Sequence, residues 1–295
     1  MSFYKKMRKL RYHISRNIAR LLPDKLYLSI KFRTRKGYWM DWKHPKTFCE
    51  KLQWLKVHDI HPEYTMMVDK MAAKDYVANI IGREYIIPTL AVFDSADDVD
   101  FDALPNQFVL KCTHDSGGLV VCRDKSKLNR KAARNKLRRG LKRTYIIQNR
   151  EYPYKNVPRR IIAEQYLENS ASPTSPIVDY KFFCFNGEPR YCQVIQDRNT
   201  KETIDFFDME WNHQEFIGLN PKAVHAIVCP QKPHSFETMK QIAKALSQGI
   251  PFSRIDLYDI NGKPYFGEIT FFPASGMGVF TPNKYDEILG EMIQL

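Results

Sequence analysis

With 295 residues, 43% of them hydrophobic and 13% aromatic, the chain can bury a substantial core divided over two or three compact units, which excludes a disordered protein. Its net charge of +13 is concentrated: residues 1–36 carry twelve Lys/Arg against one acid, residues 123–160 carry fifteen against two, and the remainder is acidic at −11, unlike the single basic face of a duplex reader, so no nucleic-acid partner is expected. The six cysteines form no CxxC pair and no uncharged stretch approaches 18 residues, so neither a zinc ribbon, a dithiol redox centre, export nor a membrane span is expected, and a reducing cytoplasm fits best.

Residues 3–22 place Phe3, Met7, Leu10, Ile14, Ile18 and Leu21 at steps of four and three, which predicts a basic amphipathic helix, docked on its own domain or lying on an anionic membrane surface. Helices follow around Glu50 to His58 and from Tyr64 to Ile80, then a strand at Ile86 to Phe93. The acidic, turn-rich stretch Asp94 to Leu104 reads as a boundary. Phe108 to Cys112 and Leu119 to Cys122 read as a hairpin, with a basic helix over Asn129 to Arg143 and a strand at Ile161 to Leu167. Asn169 to Pro176 is a Ser/Pro-rich loop. Strands then dominate, at Tyr180 to Phe185, Arg190 to Gln196 and Thr203 to Phe207, and a helix at Ser235 to Gln248 precedes a closing hairpin, Phe252 to Ile260 and Pro264 to Phe272.

That hairpin carries charged residues inside otherwise apolar strands. At period two, Arg254 and Asp256 share a face, as do Glu268 and Thr270. A three-residue loop at Asn261–Gly262–Lys263 would set Asp256 opposite Glu268 and Arg254 opposite Thr270; a two-residue Asn–Gly loop would shift the register by one and part the carboxylates. Facing carboxylates repel unless a cation lies between them, and a hard, oxygen-ligated cation such as magnesium suits them; the plainer reading is a surface hairpin on which Arg254 bridges both acids. Upstream, Lys111 ends a strand and the small-residue loop His114, Asp115, Ser116, Gly117 and Gly118 follows, which would let backbone N–H groups approach phosphate, although Gly–Gly in a hairpin is more often only a turn. The pattern is not a P-loop. The strand ending in Glu164, Gln165, Tyr166 and Leu167 reads on its own as a core strand with a polar edge.

In this order, the motifs resemble the ATP-grasp superfamily, and most closely its branch named for teichuronopeptide biosynthesis, over residues about 37–290. Phrases that carry the resemblance include Phe-Val-Leu-Lys-Cys-Thr-His-Asp-Ser-Gly-Gly and Tyr-Phe-Gly-Glu-Ile-Thr-Phe-Phe-Pro. It implies an α+β fold in which ATP is gripped between a small central lid domain (105–163) and a C-terminal antiparallel-sheet domain (164–295), behind an N-terminal domain (37–104) and the basic segment 1–36. By resemblance, Lys70 and Lys111 are nucleotide lysines, Ser116 to Gly118 the phosphate loop, Glu164 to Leu167 the adenine-holding strand, and Lys181 a phosphate-side cation. Arg254 corresponds to the catalytic arginine, and Asp256, Glu268 and Thr270 to the metal ligands, with Thr270 where the family carries asparagine; Glu168 and Asp179 are both open as the ribose acid. The implied activity is a magnesium-ATP-dependent carboxylate–amine ligase working through an acylphosphate on bacterial surface polysaccharide, with a carboxylate and an amine as partners. Rival readings are a sugar-hydroxyl kinase and a glycosyltransferase.

Overall fold

The computed structural model describes residues 21–115, 117–170, 177–197 and 201–295. Residues 1–20 of the amphipathic helix, Ser116, and residues 171–176 of the Ser/Pro-rich loop lie outside the described residues.

After α1 (Asp24–Lys36), helix α2 (Phe48–His58) starts on a capping box: the Thr47 hydroxyl accepts from the Glu50 amide, and the Glu50 carboxylate accepts from the Thr47 amide. The single helix expected over Tyr64 to Ile80 is broken into α3 (Glu63–Val68) and α4 (Ala72–Ile81). Asp69 leaves the helical region at ψ 112° and its carboxylate accepts the Met71 amide at 3.0 Å, while the Lys70 amide donates to the Thr113 carbonyl at 3.1 Å. Local Asx capping overrides the apolar period there and turns Lys70 out of the helix.

The small domain is an antiparallel sheet in the order β1 (Thr89–Phe93), β4 (Ile161–Gln165), β2 (Phe108–Cys112), β3 (Leu119–Cys122). Helix α5 (Arg130–Leu141) covers one face through Ala133 and Leu137. The boundary expected over 94–104 is corrected: Val99, Phe101 and Leu104 are buried in this core, and Asp97 and Asp102 pair with Arg138 and Arg130 of α5 at 2.5 and 2.6 Å. Acidic residues read as a linker because their basic partners lie more than 25 positions downstream. Short α6 (Tyr145–Asn149) leads back to β4.

The larger sheet runs β11 (Lys263–Thr270), β10 (Phe252–Ile260), β5 (Asp179–Phe185), β6 (Glu188–Gln196), β7 (Thr203–Phe207), β8 (His213–Gln214), all antiparallel. Helix α7 (Phe236–Ser247) packs Phe236 on Phe182 on one face. On the other face, Phe48 of α2 meets Phe183, Phe185 and Phe252, the last edge-on at 4.9 Å. A ribbon of β9 (Ile217–Gly218) and β12 (Phe280–Thr281) and helix α8 (Lys284–Glu291) complete the domain. Among the described residues no helix is long and apolar enough to cross a membrane.

The β10–β11 turn has two residues, not the three that the carboxylate pairing was thought to need: Ile260 pairs with Lys263 across Asn261 and Gly262, both at positive φ. Asp256 nevertheless stands opposite Glu268, because Leu257 pairs with Phe266 and Gly267 bulges out between the two pairs. The bulge supplies the residue that the turn withholds. Gly267 suits the place because an added Cβ would come within 3.0 Å of the Asp256 carbonyl oxygen and 3.1 Å of the Tyr258 ring.

Candidate active site

The face of the large sheet that carries Phe252, Phe183 and Phe185 changes character along the strands. Beneath α2 it is aromatic. Two to four residues further, strand alternation and register put Glu268, Asp256, Lys181 and Gln193 side by side in a single cross-strand row, with Thr270 and Arg254 in the next. This polar half floors a cleft of about 380 Å³ whose opposite wall includes Lys111, Gly118 and Leu119 of the small domain.

Within the row each carboxylate is held by cations. Arg254 grips Asp256 with two N–H groups, Nε to Oδ1 at 2.6 Å and Nη2 to Oδ2 at 2.7 Å, and Nη2 also donates to Thr270 Oγ1 at 3.2 Å. Lys181 donates to the same Asp256 carboxylate. Lys70, turned into the cleft by the helix break, donates to Glu268 Oε2 at 2.9 Å. Burial opposes the charge on Glu268, but Lys70, Lys181 and Arg254 together hold its carboxyl well below the usual carboxylate range. Burial also opposes the Arg254 charge, but Asp256, Glu268 and Asp179 together outweigh it, so the guanidinium is held even more firmly protonated than usual.

The donor set of Asp256, Glu268 and Thr270 is all oxygen, and the two carboxylates face each other across one ladder position. Those features fit a hard dication such as magnesium, and three cationic side chains already neutralise the acids where it would bind.

The small domain offers its uncovered sheet face. Register places Val92, Ile162, Lys111 and Leu119 in one row and Glu164, Val109 and Val121 in the next. Val92, Leu119 and Val121 are exposed, an apolar surface suited to a flat ring. Glu164 is buried between two ammonium groups, Lys111 and Lys74, each 2.6 Å from a carboxylate oxygen. Burial would raise its pKa, but Lys111 and then Lys74 pull it below the ordinary value.

Of the residues expected in the site, Lys70, Lys111, Gly118, Lys181, Arg254, Asp256 and Glu268 line this cleft, and Thr270 abuts it through Arg254. Gly117 lies under the Arg143 guanidinium, where a Cβ would come within 1.8 Å of Nη1. His114 is buried outside the cleft lining, and burial lowers its pKa. Gln165, Tyr166 and Leu167 continue from β4 at the margin of the small sheet, with the Gln165 amide donating to the Pro88 carbonyl at 3.0 Å and Arg123 6.0 Å above the Tyr166 ring.

Three participants had no recognisable signal in the sequence. Lys74 lies within the helix expected over Tyr64 to Ile80; its ion pair depends on Glu164, ninety positions away. Gln193, 2% exposed, sat within an apolar strand, where alternation alone marks it as facing the same side as Lys181. Arg143 ends the basic helix expected over Asn129 to Arg143, yet it pairs with the buried Asp115 of the loop at 3.1 Å.

The family model described as TupA-like ATPgrasp matches residues 50–294. Among solved structures, the chain is similar to the D-alanine–D-alanine ligase of Bacillus anthracis complexed with ATP, at 16% identity and TM-score 0.39 over 77% of this chain and 63% of that one. It is also similar to the ATP-grasp ligase PsnB complexed with minimal precursor, Mg and ADP (12%, TM-score 0.37, 75% and 57%) and to the D-alanine–D-alanine ligase of Helicobacter pylori (13%, TM-score 0.39, 83% and 68%). The chain thus spans less than two thirds of the B. anthracis and PsnB chains. No curated protein matches it. The match over residues 50–294 takes in both sheets and every cleft residue named above, and on it the chain belongs to the TupA-like ATP-grasp family.

Proposed function

We propose that the protein is a magnesium-ATP-dependent carboxylate–amine ligase that joins its substrates through an acylphosphate, with a uronic acid or related carboxylate of a bacterial surface polysaccharide as the acid. The observation that supports it most is that one cleft is lined from the small sheet by Lys111, paired behind it with Glu164 and Lys74, and from the large sheet by Arg254, Asp256 and Glu268 with Lys70 and Lys181.

On this reading the adenine ring lies against the apolar face of Val92, Leu119 and Val121, with Glu164 to Leu167 along its edge. The phosphates extend toward Lys111, Lys70 and the loop at Gly117 and Gly118. Magnesium, held by Asp256 and Glu268 with Thr270 beside them, would neutralise charge on the transferring phosphoryl group. The substrate carboxylate attacks the γ-phosphorus, the bond to the bridging oxygen breaks, and ADP leaves. The amine then adds to the acyl carbon, and loss of phosphate and a proton gives the amide. Arg254, anchored by Asp256, faces the oxyanion of that addition. A division into N-terminal, lid and C-terminal domains, with the lid taking in β1 and residues 94–104, and work beside an anionic membrane through residues 1–36 in the cytoplasm, belong to the same proposal.

The test incubates protein, magnesium-ATP, uronic acids and amine acceptors, following ADP, phosphate and amide, with hydroxylamine to trap the acylphosphate. Equal ADP, phosphate and amide support the reading. ADP with a phosphorylated sugar and no amide would replace it with a kinase, and UDP release from a sugar nucleotide without ATP with a glycosyltransferase.

A further inference from the structure

On the sheet face turned away from the cleft, Asp205 of β7, His213 of β8 and His225 of the following loop bring one ligand atom each within 4.8 Å of one another. His213 Nε2 lies 2.8 Å and His225 Nδ1 2.9 Å from the same oxygen, Asp205 Oδ1. The other oxygen, Oδ2, accepts the Ala226 amide at 3.1 Å. Asp205 is 1% exposed, whereas both imidazoles are about one third exposed, so the group is rooted in the sheet and open to solvent on one side.

A buried aspartate satisfied by histidine needs one imidazole on Oδ1, and this one has two. The second ring nitrogen of His225 also faces a backbone carbonyl, Glu215 O, at 3.4 Å. The tautomer that donates to that carbonyl turns the Nδ1 lone pair toward the Asp205 carboxylate, and two lone pairs facing each other call for a cation between them. A ligating histidine whose other nitrogen donates to a carbonyl is the usual outer-shell arrangement of a metal site. Two imidazoles and a carboxylate suit zinc-type divalent ions and not magnesium. At bonds of about 2.0–2.1 Å, tetrahedral ligand atoms stand roughly 3.3 Å apart, so each imidazole nitrogen would draw back about 0.5 Å from Oδ1 while the two nitrogens, within 4.8 Å of each other, settle to the same spacing.

We propose that Asp205, His213 and His225 bind one zinc ion, with water in the fourth position, as a structural clip separate from the cleft. The clip would fasten the 219–231 loop to the sheet. That loop begins with Leu219 and Asn220 in the cleft wall, where Asn220 donates to Glu202 Oε1 at 2.9 Å, and later exposes Ile227 and Val228. The cation therefore stiffens a wall of the cleft from behind.

The test titrates zinc into metal-stripped full-length protein by calorimetry, with excess magnesium present, and records the visible spectrum with cobalt in zinc's place. One equivalent should bind, with intense tetrahedral cobalt bands and a higher Tm. His213→Gln and His225→Gln, both at half-open positions that leave the fold intact, should each weaken binding by on the order of 100-fold and abolish the cobalt bands. Absence of a stoichiometric site in the parent protein overturns the proposal. So does undiminished binding in both variants, which would put the metal elsewhere, at the exposed Cys229 for instance.

Discussion

Lys70 and Glu268, 198 residues apart in sequence, meet at 2.9 Å across the cleft floor. One comes from a break between two helices, the other from the strand after a bulge. Each local irregularity brings its side chain to the same place, and the pair ties the N-terminal helices to the last hairpin.

Replacing Glu268 with Gln removes one of two opposed carboxylates but leaves Lys70, Lys181 and Arg254 where they are. Charge stabilisation worth several kcal/mol should be lost from turnover, roughly 100- to 1000-fold, while the circular dichroism spectrum is unchanged. ATP binding measured without magnesium should persist, because the cations no longer share their charge with Glu268. Full activity in the variant would refute the metal assignment.

Glu164 lies between two ammonium groups in a buried setting. Glu164→Gln would leave Lys74 and Lys111 facing each other without a counter-charge. Unfolding in urea should show a loss of about 3 kcal/mol, with Lys74→Met as a second change restoring part of it.

Gly267 keeps the carboxylates in step, so crowding it should harm catalysis more than stability. Gly267→Val presses on the Asp256 carbonyl and the Tyr258 ring and should cost about 1–3 kcal/mol, with ATP turnover falling further than that loss explains. Parallel denaturation and steady-state assays separate the two effects.

Lys56 is buried with its ammonium on the Ser275 carbonyl (2.8 Å) and Gln53 Oε1 (3.1 Å), holding the turn after β11 in which Ala274 and Ser275 have positive φ. Burial, outweighing the pull of Glu151, lowers its pKa to about 7. Between that value and the 10.5 of an unfolded lysine, the unfolded chain carries a proton that the folded one lacks, so stability should rise with pH across this window and be lowest below about 7. Lys56→Met should remove that slope, up to about 1.4 kcal/mol per pH unit, when denaturation at pH 7 and pH 9.5 is compared with the parent.

Much of this was legible from residues alone, because it rested on alternation. Arg254, Asp256, Lys181 and Glu268 stand out as charges inside apolar strands, and their faces follow from period two. Glu164 was legible only through family resemblance, since an isolated strand does not reveal two distant lysines. The helix break at Asp69 was hidden because an aspartate's turn competes with helix on nearly equal terms, and the outcome was decided by the Thr113 carbonyl from another domain. The burial of Ala96, Val99, Phe101 and Leu104 was hidden by the charges between them, two of which, Asp97 and Asp102, have their partners on α5.

The Asn261–Gly262 turn and the Gly267 bulge count together as one inserted residue in β11. Within the fixed length between Asp256 and Glu268, a three-residue turn without the bulge gives the same pairing, whereas a two-residue turn without the bulge would set Asp256 opposite Gly267 and turn Glu268 to the far side of the sheet. The active-site register therefore behaves as a parity shared between two positions several residues apart. Removing Gly267 would take out only the bulge, since Leu257–Phe266 and Asp256–Glu268 would then follow one another directly, so the pairing depends on where an extra residue is placed in this hairpin and not on the identity of that residue.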